Sequence, residues 1–347
     1  MGTVCKAGGI AMGTIGRRQL VWIAVCLAAG VLTGLSAQAA DPSLSLEKTI
    51  PLKSVSGRID HMAFDLGRKH LIVAKLGNNT VDVIDVVSGT PVHRITGLRE
   101  PQGIGYAPRP DIILIANAGD GSVRLLKAEN FSPAGSIALG DDADNIRIDP
   151  RNGNAVIGYG SGGLAVVDPA SGTKLADIHL PAHPESFQID PQTGHTYVNI
   201  PSAHQIAVVD LDARHVMANW PTGNARSNFP MALDASQSLV ASVFRSPPGL
   251  LLLDAATGTE RQRLPACGDA DDVFFDPRRM RIYVSCGAGE LAVMERKGAE
   301  WRELGTLRTA SGARTSLFVP DLDRLYVAER AGLMGSDAAI GVYRPVP

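Results

Sequence analysis

The stretch "GDDADNIRIDP" at residues 140–150 sets a knot of acids directly before a short alternating apolar run, and "GDADDVFFDP" at 268–277 repeats the device. Aligning the apolar residue that opens each comparable run gives Met62, Ile104, Ile146, Phe187, Met231, Val273 and Leu317. Successive spacings are 42, 42, 41, 44, 42 and 44 residues, so seven similar units tile most of the chain. A period of this size marks a repeat architecture.

Within a unit, four short strand patterns alternate with Gly, Pro, Asn and Asp turn chemistry. The third unit supplies "IRID", "AVIGY", "LAVVD" and "TKLADIHL" in order. Elsewhere the second strand recurs as "LIVAK", "ILIAN", "TYVNI", "IYVSC" and "LYVAE", and the third as "VDVID", "IAVVD", "LLLLD" and "LAVME". Four strands per unit without helical periodicity predict an all-β, seven-bladed β-propeller with four-stranded blades rather than a solenoid. After Leu317 only three strand patterns remain, near 316–320, 324–329 and 339–344; the fourth stands at the other end as "LSLEKTIPL", residues 44–52. That N-terminal strand is expected to close the last blade and leave the ring without an open edge.

A chain of 347 residues with 45% hydrophobic and 20% charged residues can bury a large core. Its first 39 residues contain no acid, carry Arg17 and Arg18 ahead of "LVWIAVCLAAGVLTGL", and end in Ala37-Gln38-Ala39. This reads as a secretory signal peptide, with residues 40–347 as a single propeller domain that is periplasmic or secreted, monomeric, and free of the membrane after cleavage. Loss of Lys6, Arg17 and Arg18 takes the formal charge from −2 to −5 (−2 minus 3), which speaks against nucleic acid as a partner. Cys267 and Cys286 remain, both at one rim of the sixth unit; a disulfide and two free thiols are both open.

The "xYVxN" second strands, the "VxVID" third strands and the sevenfold count resemble the YVTN-repeat, YncE-like β-propeller family over residues 44–344. Tyr197-Val198-Asn199, Tyr283-Val284-Ser285 and Tyr326-Val327-Ala328 carry the pattern, and Leu71-Ile72-Val73-Ala74 in the first unit departs from it. The resemblance implies an exported binding or accessory propeller, with sugar-lactone hydrolases among the wider propeller relatives. It specifies fold far more than function.

In a propeller the first strand of each blade lines the axis, so the residues before it surround one mouth. The position just ahead of the first strands carries Asp60, Gln102, Asp144, Glu185, Phe229, Asp271 and Thr315, followed by His61, Gly103, Asn145, Ser186, Pro230, Asp272 and Ser316. His183, Asn228, Asp269 and Arg314 lie close by, and the loops after the second strands should add Lys75, Asn117, Tyr159, Asn199, Arg245, Glu329 and Arg330. Such acids can be turn formers multiplied by the repeat, or a ligand ring. As a ring they call for a counter-ion, a shared proton or neutralising arginines. Asp60, His61, Asp144, Glu185 and Asp271 are the candidate ligands of a divalent metal, Ca²⁺, Mg²⁺ or, through His61, a transition metal. Asp85, Asp168, Asp210 and Asp254 end third strands and read as turn acids.

Catalytic motifs fail on context. "GYGSGG" fits G-x-G-x-x-G, but a strand follows where a dinucleotide site needs a helix; no nucleophile elbow, phosphate loop or metal helix is present. Two function classes follow. One is a noncatalytic module binding a small molecule or a protein at the polar mouth. The other is a metal-dependent hydrolase of a sugar lactone, with Arg314 as anion anchor.

Overall fold

In the computed structural model, residues 43–332 and 337–347 are described. The predicted leader lies outside them. They form seven four-stranded antiparallel sheets, and helix among them is confined to three single 3-10 turns. Blade 1 runs Met62–Asp65, His70–Lys75, Thr80–Asp85 and Thr90–Ile95, and blades 2 to 6 repeat this order outward through Glu300–Arg308. Each innermost strand touches the innermost strand of the next blade, and the last touches the first, so the ring is closed.

Closure is made as the strand count predicts. Blade 7 is built from Ser316–Val319, Arg324–Glu329 and Ala338–Pro345, and its outermost strand is Leu44–Leu52. The two termini pair antiparallel from Leu44 opposite Pro345 to Leu52 opposite Ala338. Leu44, Ile50 and Leu52 are at most 1% exposed, so the strand is fastened by core packing as well as by its ladder. Glu47 adds an ion pair with Arg324.

Because both faces of an inner blade strand are covered by neighbouring blades, the second and third strands are apolar at nearly every position. Seven apolar clusters fill the seven interfaces; Ile72, Ala74, Val81 and Val83 of blade 1, for example, meet Ile104, Ile113 and Ile115 of blade 2. At the end where the first strands finish, arginines stitch three of the interfaces. Arg68 joins Asp65 to Asp111 of blade 2, Arg151 joins Asp149 to Asp212 of blade 4, and Arg279 joins Asp276 to Asp323 of blade 7. The outer turns use the expected acids: Asp85, Asp168, Asp210 and Asp254 each accept hydrogen bonds from backbone N–H groups two or three residues on. Cys267 and Cys286 form a disulfide, Cα to Cα 5.9 Å.

Candidate functional site

The sequence places the acids in loops ahead of the first strands. In four blades this position lies instead inside the strand, at a β-bulge, and in two of them it is an acid. The ladder skips between Pro101 and Ile104, Ala143 and Ile146, Asn228 and Met231, and Ala270 and Asp272. A bulge leaves its extra residue unpaired and re-aims the side chain, and here that residue is Gln102, Asp144, Phe229 or Asp271. Just before each bulge the backbone turns through positive φ at Glu100, Asp142, Ser227 and Asp269, a strain of about 1 kcal/mol or more per residue. The meeting of the second and third units also explains Gly103: a Cβ there would stand 1.7 Å from the Asp144 carbonyl oxygen, so only glycine lets blade 2 approach blade 3 this closely.

The result is a cavity of about 260 Å³ with lining residues from all seven blades. Asp60, Gln102, Asp144, Glu185, Phe229 and Asp271, six of the seven equivalent positions, face it. The seventh, Thr315, spends its hydroxyl on the Ile59 carbonyl.

Around the ring the charges divide into two halves. On the side of blades 5 to 7, Arg245 and Arg314 both grip Asp271, Arg314 Nε at 2.9 Å from Oδ2, and both reach Asp269. Arg245 also lies over the Phe229 ring, 4.0 Å from its centroid. Asp60 is held by Arg58 at 2.6 Å. On the side of blades 3 and 4, Asp142, Asp144 and Glu185 meet no guanidinium within ion-pair distance among the described residues, and Asp142 has His183 Nδ1 at 3.6 Å. His61 Nε2 stands 3.7 Å from both Asp60 Oδ1 and Asp144 Oδ1, too far for a hydrogen bond. The Asp144 side chain is 9% exposed, and its buried Oδ1 has no hydrogen-bond partner; the buried Oδ1 of Asn145 has none either. His183 Nδ1 is satisfied by the Gly160 carbonyl at 2.6 Å.

Burial pushes the Asp144 carboxyl well above the usual carboxylate range; the pull of His61 opposes this, and the Glu185, Asp60 and Asp142 charges reinforce it. Burial, then the Asp271 charge, raises Glu185 to about 7 against the pull of Arg245. Glu185 therefore exchanges its proton near neutrality, and Asp144 keeps its proton to a pH well above the ordinary carboxylate range.

Of the residues proposed from sequence, Asp60, His61, Gln102, Asp144, Asn145, His183, Glu185, Asp271 and Arg314 line the cavity, and Asn228 and Asp272 do not. Asn228 is wholly buried, donating to Asn199 Oδ1 and the Gln205 carbonyl between blades 4 and 5. Asp272 accepts the Ser316 N–H at 2.7 Å, and burial raises its pKa. Of the seven residues expected from the second-strand loops, only Arg245 reaches the cavity. Lys75, for instance, turns back into its blade to pair with Asp82 at 2.6 Å. Sequence reasoning missed Arg58 and Asp142, which occupy the repeat position two residues before Asp60 and Asp144, as His183 does before Glu185. Extending the alignment by two residues finds them.

The five candidate metal ligands all line the cavity, and among the described residues no three His, Cys, Asp or Glu side chains are arranged to hold an ion. Asp60 and Asp271 are already held by arginines, so the neutralising device in this mouth is guanidinium. No protein-family model matches the chain, and no curated protein is significantly similar to it.

Proposed function

We propose that this chain is an exported, noncatalytic β-propeller whose role is to bind a small polar molecule in the cavity shared by its seven blades. The observation that carries the reading is Asp144, a carboxyl group that lines the cavity with its side chain 9% exposed and whose buried Oδ1 has no hydrogen-bond partner. An unsatisfied buried acceptor costs about 1–3 kcal/mol, more when charged, and a ligand that donates to it recovers that cost. The cavity lies just below the roughly 300–1,000 Å³ of drug-sized pockets, which suits a small ligand. Export is supported by the acid-free leader and by the Cys267–Cys286 disulfide, a bond that persists in oxidising compartments. The likeness to YVTN-repeat propellers supports a binding rather than a catalytic role. The metal-dependent lactone hydrolase has no gathered ligand set to support it.

The test is a thermal-shift screen of purified mature protein against small polar metabolites at pH 7.5, run beside Asp144→Asn and Glu185→Gln. A ligand that raises Tm in the parent and in neither variant is the expected result. A shift that persists in both variants moves the binding site elsewhere, and a screen with no shift removes the reading.

A further inference from the structure

Three features of the cavity restrict the chemistry of its occupant, on the reading that it is a binding site. The first is charge. Six carboxylates, Asp60, Asp142, Asp144, Glu185, Asp269 and Asp271, are set against three guanidiniums, Arg58, Arg245 and Arg314. Counting these groups alone, full ionisation leaves 3 − 6 = −3. The deficit is local, because each of these three guanidiniums is committed to Asp60, Asp269 or Asp271, and the acids of blades 3 and 4 face imidazoles instead, His61 at 3.7 Å from Asp144 and His183 at 3.6 Å from Asp142. An anion entering here would meet arginines that are already paired and carboxylates that repel it.

Hydrogen-bonding capacity is the second restriction. Asp144 Oδ1 is a buried acceptor without a donor, and Asn145 Oδ1 beside it is another. Acceptors in this state call for N–H or O–H groups on the ligand. A neutral polyol supplies donors but nothing that offsets the charge these buried acids carry once they ionise. A charged N–H donor answers both needs with one group, and charge-assisted hydrogen bonds are about twice as strong as neutral ones.

The third is what the cavity withholds. Recognition of a quaternary ammonium relies on open Trp, Tyr or Phe faces, and the phenyl ring that lines this cavity, Phe229, is covered by the Arg245 guanidinium. A bare divalent cation needs several convergent oxygen ligands, and no such group of three exists among the described residues.

We propose that the cavity binds a small primary amine in its ammonium form, with Asp144 and Glu185 receiving the ammonium group and the Arg245–Asp271–Arg314 cluster forming the opposite, already neutralised wall. Isothermal titration calorimetry on the mature protein at pH 8 tests this with six probes: ethanolamine, 1,4-diaminobutane, tetramethylammonium, glucose, acetate and Ca²⁺. Ethanolamine or diaminobutane should bind, at least tenfold tighter than tetramethylammonium. That affinity should fall at least tenfold in Asp144→Asn and in Glu185→Gln and stay unchanged in Arg68→Ala, at the other end of blade 1. Circular dichroism verifies that each variant is folded, and two independent site variants keep the test valid if one is not. Binding of glucose, acetate, Ca²⁺ or tetramethylammonium in place of the primary amines overturns the amine assignment and leaves a binding site in place. Amine binding that survives both site variants also overturns it. Silence from all six probes overturns the amine assignment; silence in the wider metabolite screen as well removes the binding reading beneath it.

Discussion

His61 Nε2 of blade 1 faces Asp144 Oδ1 of blade 3 at 3.7 Å, reaching past blade 2. Among the described residues the imidazole is the one group within ion-pair distance of that carboxyl, and its pull opposes the upward push of burial on Asp144. Replacing His61 by Gln removes the opposition. The protonated-carboxyl infrared band that Asp144→Asn abolishes should then persist to a higher pH. A band with the same titration in His61→Gln and parent would show that the two groups do not interact.

Glu185 gives the fold a pH dependence of definite sign. Its folded pKa of about 7 lies above its ordinary 4.5, so between these values the folded state holds more proton than the unfolded chain and stability falls as pH rises. The groups acting on it are Asp271, Arg245, Asp60 and Asp142. Glu185→Gln should match the parent below pH 4.5 and exceed it by about 1–3 kcal/mol above pH 7, since each pKa unit is worth about 1.4 kcal/mol. Urea unfolding from pH 4 to 8 measures the difference; a gap that does not widen with pH contradicts the assignment.

The stitching arginines should be unequal to surface pairs. Asp276 is 1% exposed and accepts from Arg279 and from Tyr283, so Arg279→Ala leaves a buried carboxylate and strands Asp323. A loss of about 3 kcal/mol is expected. Arg263→Ala, which breaks the exposed pair with Glu260, should cost less than about 1 kcal/mol. Equal costs in chemical denaturation would mean that the interblade bridge contributes nothing beyond surface charge.

Ring closure rests on Leu44–Leu52, and Ile50 is wholly buried at the seam between blades 7 and 1. Ile50→Ala should lower stability by about 2–5 kcal/mol, and removal of residues 40–52 should abolish the cooperative thermal transition. An unchanged Tm in the truncated protein would show that the strand is not needed to close the ring.

The Cys267–Cys286 bond spans 19 residues, and a loop of that order is worth about 3 kcal/mol. Reduction, or replacement of both cysteines by Ser, should lower the unfolding free energy by that amount. Nonreducing peptide mapping of exported protein tests the bond itself, and two free thiols would refute it.

What the sequence determined by itself was everything that repeats. Strand alternation and turn chemistry are local, so the run opened by Ile146 and its six counterparts disclose blade number, strand order and the borrowed N-terminal strand without reference to any contact. The same register puts Asp60, Asp144, Glu185 and Asp271 at equivalent positions, so a polar mouth was legible too. Only the tertiary structure decided which of those acids remain unsatisfied. That depends on where long side chains from other blades end: Arg245 and Arg314 converge on Asp271 from the blades on either side, whereas Lys75, equivalent to Arg245 in the repeat, turns away to Asp82. It depends as well on bulges, whose irregular pairing no alternation pattern encodes and which turn Asp144 and Asp271 inward. Asn228 and Asp272 share the neighbourhood in sequence yet are absorbed by the hydrogen bonding between blades. Charge balance in a closed ring is set by all seven blades at once, and no single repeat contains that information.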